Sequence, residues 1–299
     1  MSQLKKVAVA AAAAGALVVP LMSTPAVAET AAAENSSFTS AQESHRLAGS
    51  DRYATAVEVS QHLYPLGAGT VFIASGTNFP DALAGGPAAT HEGGPVLLVK
   101  QDQVPAVVAQ ELGRLSPDRV FVLGGGVAVS EGVVDALKAY GPVERLAGSN
   151  RQGTAAEIAS LWSHADTVFV ASGGSYPDAL AGGAAAAHED APVLLAGRTS
   201  LSSQTTSRLA QLDPSTVVVL GGSAAVSGSA IGDITAAVPD AKVVRYHGQD
   251  RYATAQAVAA NVWPEGSSEA FYATGAGFAD ALAGVPAAAL LRSEAEEVR

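Results

Sequence analysis

The sequence predicts an α/β protein of tandem modules of roughly 100 residues. Each is expected to be a mostly parallel sheet flanked by helices, and the third module is incomplete. Three observations predict this. Arg46-Leu-Ala-Gly-Ser-Asp-Arg-Tyr-Ala-Thr-Ala56 returns as Arg145-Leu-Ala-Gly-Ser-Asn-Arg-Gln-Gly-Thr-Ala155 and as Arg245-Tyr-His-Gly-Gln-Asp-Arg-Tyr-Ala-Thr-Ala255, so the period is 99 and then 100 residues. That period is a domain repeat, longer than a solenoid turn. The apolar runs are short, continuous and β-branched, which marks strands covered on both faces. They alternate with stretches of helical spacing, the signature of βαβ units.

The elements of the first copy follow in order. A short strand is expected to end at Gly49. A helix capped near Ser50 or Asp51 runs to about Leu63, because a short polar side chain satisfies the free amides of a first turn. Thr70–Ser75 is a strand, and Gly76–Pro80 a turn. A small-residue helix runs from Asp81 to about Thr90, and Pro95–Val99 is a second strand. Val104–Leu115 has helical spacing, Arg119–Leu123 is a third strand ending in Gly124-Gly-Gly126, and Ser130–Tyr140 is a last helix. The second copy matches at Thr167–Ser172, Pro177–Gly182, Pro192–Leu195 and Val217–Gly222. The third has the arginine motif, a strand near Ala270–Thr274 and Asp280-Ala-Leu-Ala-Gly284, without counterparts of Pro95–Val99 and Arg119–Gly126. A sheet left half-built exposes an apolar edge, a liability for self-association.

The expected organisation is a signal peptide (1–28), a flexible linker (29–44), repeat 1 (45–144), repeat 2 (145–244) and a partial repeat 3 (245–299). Lys5 and Lys6 precede the apolar run Val7–Val19, and Ala26-Val-Ala28 supplies the small residues a signal peptidase reads. The run is short for a bilayer span, and no later segment is long and apolar enough, so no membrane span is expected after cleavage. The chain has no cysteine, which excludes disulfides and thiolate metal sites. Loss of Lys5 and Lys6 with the signal takes the net charge from −11 to −13. Such a surface argues against nucleic acid as a partner. An anionic ligand must then be held by local basic groups against the global field.

The candidate ligand-binding residues begin with the repeated arginines Arg46, Arg52, Arg145, Arg151, Arg245 and Arg251. A guanidinium grips phosphate or carboxylate through two parallel hydrogen bonds. The competing role is an ion pair between modules with the repeated acids Asp81, Asp178 and Asp280. Those acids also suit the first turn of a helix, where free amides stabilise a carboxylate. Their functional options are a contact to a sugar hydroxyl or a cation bridge, although no calcium-type run of acids appears. Gly124–Gly126 and Gly221–Gly222 read first as tight βα turns and second as anion pockets, without the spacing of a dinucleotide or P-loop motif. Ser75, Asp81 and His91 invite a hydrolase reading, but no G-x-S-x-G elbow surrounds Ser75. The histidines never fall at metal-ligand spacing, so no catalytic residue, metal or cofactor is assigned. The Pro95–Leu98 and Pro192–Leu195 runs read, on their own, as strand core.

The arginine motif, Ser75-Gly-Thr-Asn-Phe-Pro-Asp-Ala-Leu-Ala-Gly85, Pro95-Val-Leu-Leu98, and Val122-Leu-Gly-Gly125 with Ser130 together resemble the cell-wall-binding repeat type 2 family of Gram-positive bacteria. The resemblance covers Arg46 to the end. It implies exported proteins held non-covalently through secondary wall polymers, and three α/β modules about a pseudo-threefold axis. It also implies polymer binding through the proline-aliphatic strand, here Pro95, Val96, Leu97 and Leu98, and Pro192, Val193, Leu194 and Leu195. The expected function is therefore non-catalytic anchoring in the cell wall by multivalent binding of an anionic secondary polymer or peptidoglycan. Weak sites linked on one chain gain strength from effective concentration. The alternatives are a secreted wall hydrolase, and a structural surface protein that self-associates through its incomplete third module.

Overall fold

A computed structural model describes residues 8–9, 46–78, 82–264 and 270–287. The expected signal and linker, apart from 8–9, and Asp81 at the start of the small-residue helix lie outside the described residues. Strand β1 (Ala8–Val9) makes only a two-residue parallel pairing with β10 (Ala270–Phe271).

The first sheet is preceded by α1 (Arg52–Leu63) and built from β2 (Thr70–Ser75), α2 (Gly85–His91), β3 (Val96–Val99), α3 (Ala106–Leu115), β4 (Arg119–Leu123), α4 (Glu131–Leu137) and β5 (Val143–Leu146). Its four strands are parallel in the order β3-β2-β4-β5. The second unit repeats it with α5 (Arg151–Ile158), β6 (Thr167–Ser172), α6 (Tyr176–His188), β7 (Val193–Ala196), α7 (Ser203–Leu212), β8 (Thr216–Leu220), α8 (Gly228–Ala237) and β9 (Lys242–Tyr246), in the order β7-β6-β8-β9. The third has α9 (Arg251–Val262), β10 and α10 (Ala279–Gly284).

The central strands are buried on both faces, which is why their sequences run apolar without alternation. Phe72 pairs in register with Val96 on one side and Phe121 on the other, and the two phenyl rings sit 4.9 Å apart. Each buried Val, Leu or Phe side chain contributes on the order of 1.5–3 kcal/mol, so these strands are a large part of the core of the first two modules.

The repeated motif has one local job in all three copies. Asp51, Asn150 and Asp250 cap α1, α5 and α9, each accepting two amide hydrogen bonds. Thr55, Thr154 and Thr254, one turn later, accept from the amides of Gly49, Gly148 and Gly248 at 3.1 Å. The entry loop is thereby tied to the helix it precedes.

Two expectations are corrected. Residues 46–49 form no strand. Their counterparts, β5 and β9, are strands because β4 and β8 stand beside them, and among the described residues no strand stands beside Arg46. The arginine strand thus completes the sheet that precedes it in sequence. The small-residue helix of the first copy begins at Gly85, with Ala82–Ala84 in a turn, whereas α6 of the second copy runs through thirteen residues.

The modules close a ring. Small-residue helix α2 meets α5, α6 meets α9, and α10 returns to α1. Toward the ring axis α2 packs on α6 and on α10. Gly86, Gly183 and Val285 are equivalent positions of the three repeats, and they converge there. Val285 is 2% exposed and fills the space that two glycines leave.

The junctions are also riveted at the periphery. His91 of the first module stacks on Trp162 of the second at 4.4 Å, and its Nδ1 lies 2.7 Å from Asp190 Oδ1. His188 meets Trp263 at the next junction, tilted at 45° with ring centres 5.0 Å apart. Tyr64 occupies the equivalent place in the first repeat, and burial pushes its hydroxyl up to about 12. No described helix is long and apolar enough to cross a membrane.

Candidate functional site at the module junctions

The six repeated arginines separate into two groups. Arg145 and Arg245 are half-buried in β5 and β9 and brace the turns that follow β4 and β8. Arg145 donates to the carbonyls of Gly124 at 2.6 Å and Val129 at 2.9 Å, and pairs with Glu131 at 3.0 Å. Arg245 donates to Gly221 and Val226, the latter at 2.7 Å, and burial pulls its guanidinium below the usual arginine range. Three of the five donors of Arg145 and two of those of Arg245 are spent on the fold. Arg46 is the exposed counterpart, where the strand is missing.

Arg52, Arg151 and Arg251 form the second group. Each is exposed at the first position of its helix and donates Nη1 to the carbonyl of the turn after the next strand: Gly76, Gly173 and Gly275. That bond satisfies one donor of five. These arginines stand where one module's first helix meets the previous module's small-residue helix.

The carboxylates follow the same geometry. Asp178 at the start of α6 is half-buried against the third module. Burial raises its carboxyl, opposed by a hydrogen bond from Thr254 and the charge of Arg251. The expected pairing of repeated acid with repeated arginine across a junction is thus electrostatic here, with threonine as the hydrogen-bond partner. Asp280 is exposed in the first turn of α10. It lines a cavity of about 480 Å³ with Gly49, Asp51, Arg52, Thr55 and Phe278, between the first and third modules. The Arg52 guanidinium carbon lies 5.9 Å from the Phe278 ring centre.

The remaining candidates are placed as follows. Gly124 and Gly221 adopt left-handed φ of 90° and 87°, and their amides donate to Leu146 and Tyr246 at 2.9 Å. Those amides extend the sheets and do not face a ligand. Ser75 is 2% exposed and accepts from the amides of Thr77 and Asn78, while His91 is engaged with Asp190 of the next module. Ser75 and His91 do not pair with each other. No group of three metal-ligating side chains occurs among the described residues.

The proline-aliphatic strands are core. Val96, Leu97 and Leu98, and Val193, Leu194 and Leu195, are 0–1% exposed, and Pro95 and Pro192 are buried beside them. Direct ligand contact by these side chains, as the resemblance implied, has no surface to act through. They lie instead under α1 and α5, which carry Arg52 and Arg151. Sequence reading missed the junction aromatics Tyr64, Trp162 and Trp263. The signal was present: Tyr64 and Trp263 directly follow α1 and α9, and Trp162 follows the 3-10 turn Ala159–Leu161 that extends α5.

A family model for Cell wall binding domain 2 (CWB2) matches residues 46–134, 145–231 and 245–294. The chain belongs to the CWB2 family. Among curated proteins, this CWB2 chain is 30% identical over 248 residues to the N-acetylmuramoyl-L-alanine amidase LytC of Bacillus subtilis (strain 168), covering 82% of the chain and 48% of the amidase. It is also 30% identical over 207 residues to the amidase enhancer of the same organism, covering 69% of the chain and 28% of that protein. The chain thus spans about half or less of the curated relatives it matches. Among solved structures, Cwp6 from Clostridium difficile superposes with a TM-score of 0.73 at 26% identity, over 86% of this chain and 43% of that one. Cwp8 from the same organism gives 0.72 at 27% identity, over 81% and 42%. The α/β tandem-repeat fold and the cell-wall-binding family are therefore those expected from the repeats.

Proposed function

We propose that this protein is an exported, non-catalytic wall anchor, released from its signal after Ala28, that holds an anionic secondary wall polymer non-covalently at its module junctions. The observation that carries the reading is the repetition of one exposed arginine, Arg52, Arg151 and Arg251, at the start of each module's first helix. Each donates to the carbonyl of the neighbouring turn, and Arg52 and Arg151 retain donors for a phosphate or carboxylate. Three such positions on one ring give a repeating polymer several weak footholds, and their linkage multiplies the affinity. The local arginines are needed because the net charge of −13 repels a polyanion at longer range. Arg145 and Arg245 serve the fold in this scheme. The buried strands Pro95–Leu98 and Pro192–Leu195 serve binding indirectly, by seating α1 and α5.

The test is sedimentation of the purified protein with native wall sacculi, beside sacculi stripped of secondary polymers by acid. Binding to native walls only, weakened by Arg52→Gln, Arg151→Gln and Arg251→Gln together, is the expected result. Equal binding to both preparations would redirect the reading to peptidoglycan. Release of soluble wall fragments would overturn the non-catalytic assignment.

A further inference from the structure

The three junctions are not equivalent, and the difference points to a specific ligand chemistry. At the second–third junction the carboxylate is satisfied: Asp178 accepts from Thr254 and lies in the field of Arg251. At the third–first junction the corresponding contact is open. Asp280 makes no hydrogen bond or ion pair among the described residues, although Thr55, the counterpart of Thr254, lines the same cavity. Arg52 has its Nη1 on the Gly76 carbonyl, and its Nε and Nη2 make no hydrogen bond among the described residues. A cation with open donors and an unpaired carboxylate therefore line one cavity of about 480 Å³ without pairing with each other. Its size lies within the range of small-molecule sites.

The charges around the cavity decide what it suits. Asp51 is committed to the α1 cap, accepting from the Tyr53 and Ala54 amides at 2.9 Å. Counted formally, Arg52, Asp51 and Asp280 sum to −1. A ligand with only negative groups gains at Arg52 and loses at Asp280. A ligand carrying both an anion and an ammonium gains at both, and Phe278 offers an apolar wall for the ring between them.

We propose that the third–first junction is a single zwitterion site, and that it takes an amino sugar with a free amine beside a phosphate or carboxylate. The anion lies on Arg52 and the ammonium on Asp280. This rests on the wall-polymer reading and sharpens it: the bound repeat unit carries an unacetylated amine. The second–third junction holds its acid engaged, so the site proposed here is that of the third–first junction, one per chain.

Calorimetric titration of the purified protein tests it with three probes: glucosamine 6-phosphate, N-acetylglucosamine 6-phosphate and glucosamine. The expected result is one site, at least tenfold tighter for glucosamine 6-phosphate than for either probe with a single ionised group. Asp280→Asn should bring glucosamine 6-phosphate down to the level of its N-acetyl analogue. Arg52→Gln should bring it down to the level of glucosamine. Equal or tighter binding of the N-acetyl probe, no binding of any probe, or an unchanged ratio in Asp280→Asn would overturn the proposal. D-alanyl-D-alanine, a zwitterion without a sugar, binding as tightly as glucosamine 6-phosphate would overturn the amino-sugar assignment. Sacculus sedimentation of the unsubstituted protein separates the two readings. Wall binding without probe selectivity removes the zwitterion site alone, and failure to sediment removes the anchor reading.

Discussion

Replacing Gly86 by alanine should destabilise this protein, although alanine is the better helix former. A Cβ at Gly86 would stand 2.5 Å from both Cβ and Cγ1 of Val285, and 3.1 Å from Cγ2. Carbon atoms pack at about 3.5–4.0 Å, so either α2 or α10 must retreat by about 1 Å. Val285 is 2% exposed and has Gly183 on its other side, which leaves it no vacant space. Overpacking of this kind costs about 1–3 kcal/mol, against a helix gain of at most about 1 kcal/mol. We expect a net loss of about 2 kcal/mol for Gly86→Ala. The equivalent Gly183→Ala behaves differently. Its Cβ would meet Val285 Cγ2 at 3.4 Å, an ordinary contact, so the helix gain survives and the variant is neutral or slightly more stable. In a Val285→Gly background the clash disappears, and Gly86→Ala should then stabilise. Urea unfolding of the four proteins of this cycle measures the coupling, which should reach about 3 kcal/mol. Equal stability of Gly86→Ala and the unsubstituted protein, or the same cost in both backgrounds, would refute the axial packing.

Four further outcomes are expected. Glu111 is 1% exposed; burial alone would raise its carboxyl, but hydrogen bonds from Arg114, Ser60 and Gln61 and the Arg114 charge outweigh it and hold it below the usual range. A depressed folded value adds stability above the unfolded carboxylate pKa that is lost as pH falls through the folded one, so Glu111→Gln should flatten the acid limb of the stability curve. Arg114→Leu, with Arg114 about a third exposed, should cost about 1–2 kcal/mol at neutral pH in chemical unfolding. Ser116→Gly and Asp213→Gly relieve left-handed C-caps at φ 50° and 47° and should each raise the urea midpoint by the equivalent of about 0.5–1 kcal/mol. Arg145→Leu should cost about 1–3 kcal/mol through its abandoned carbonyls, whereas Arg52→Gln should weaken wall sedimentation more than it lowers the melting temperature.

Much of the fold was readable along the chain because its determinants are local. Thr70–Ser75 is buried from end to end, so an unbroken apolar run identifies it without its neighbours. Asp51 caps α1 through residues two and three positions away, and Ser130 caps α4 in the same manner. The strand expected at Arg46 failed because a strand's existence depends on a partner far away in sequence, and β5 and β9 have theirs only through β4 and β8. The candidate arginines were identified by repetition, but their division into braces and open donors was not. Arg145 and Arg151 lie six residues apart in one repeated motif, and only the tertiary structure shows that the first braces the turn at Gly124 while the second stands exposed at the start of α5.

By itself the sequence determined the period, the strand and helix types, the caps and the family of this protein. Each depends on residue identity within a short window or on the recurrence of that window. The tertiary structure decided what depends on distance between windows. It placed Val285 between two glycines on the axis, put the proline-aliphatic strands out of a ligand's reach, and left Asp280 open where Asp178 is satisfied. The physical reason is that a side chain's chemistry is its own, whereas its burial and its partner belong to the ring that the modules close.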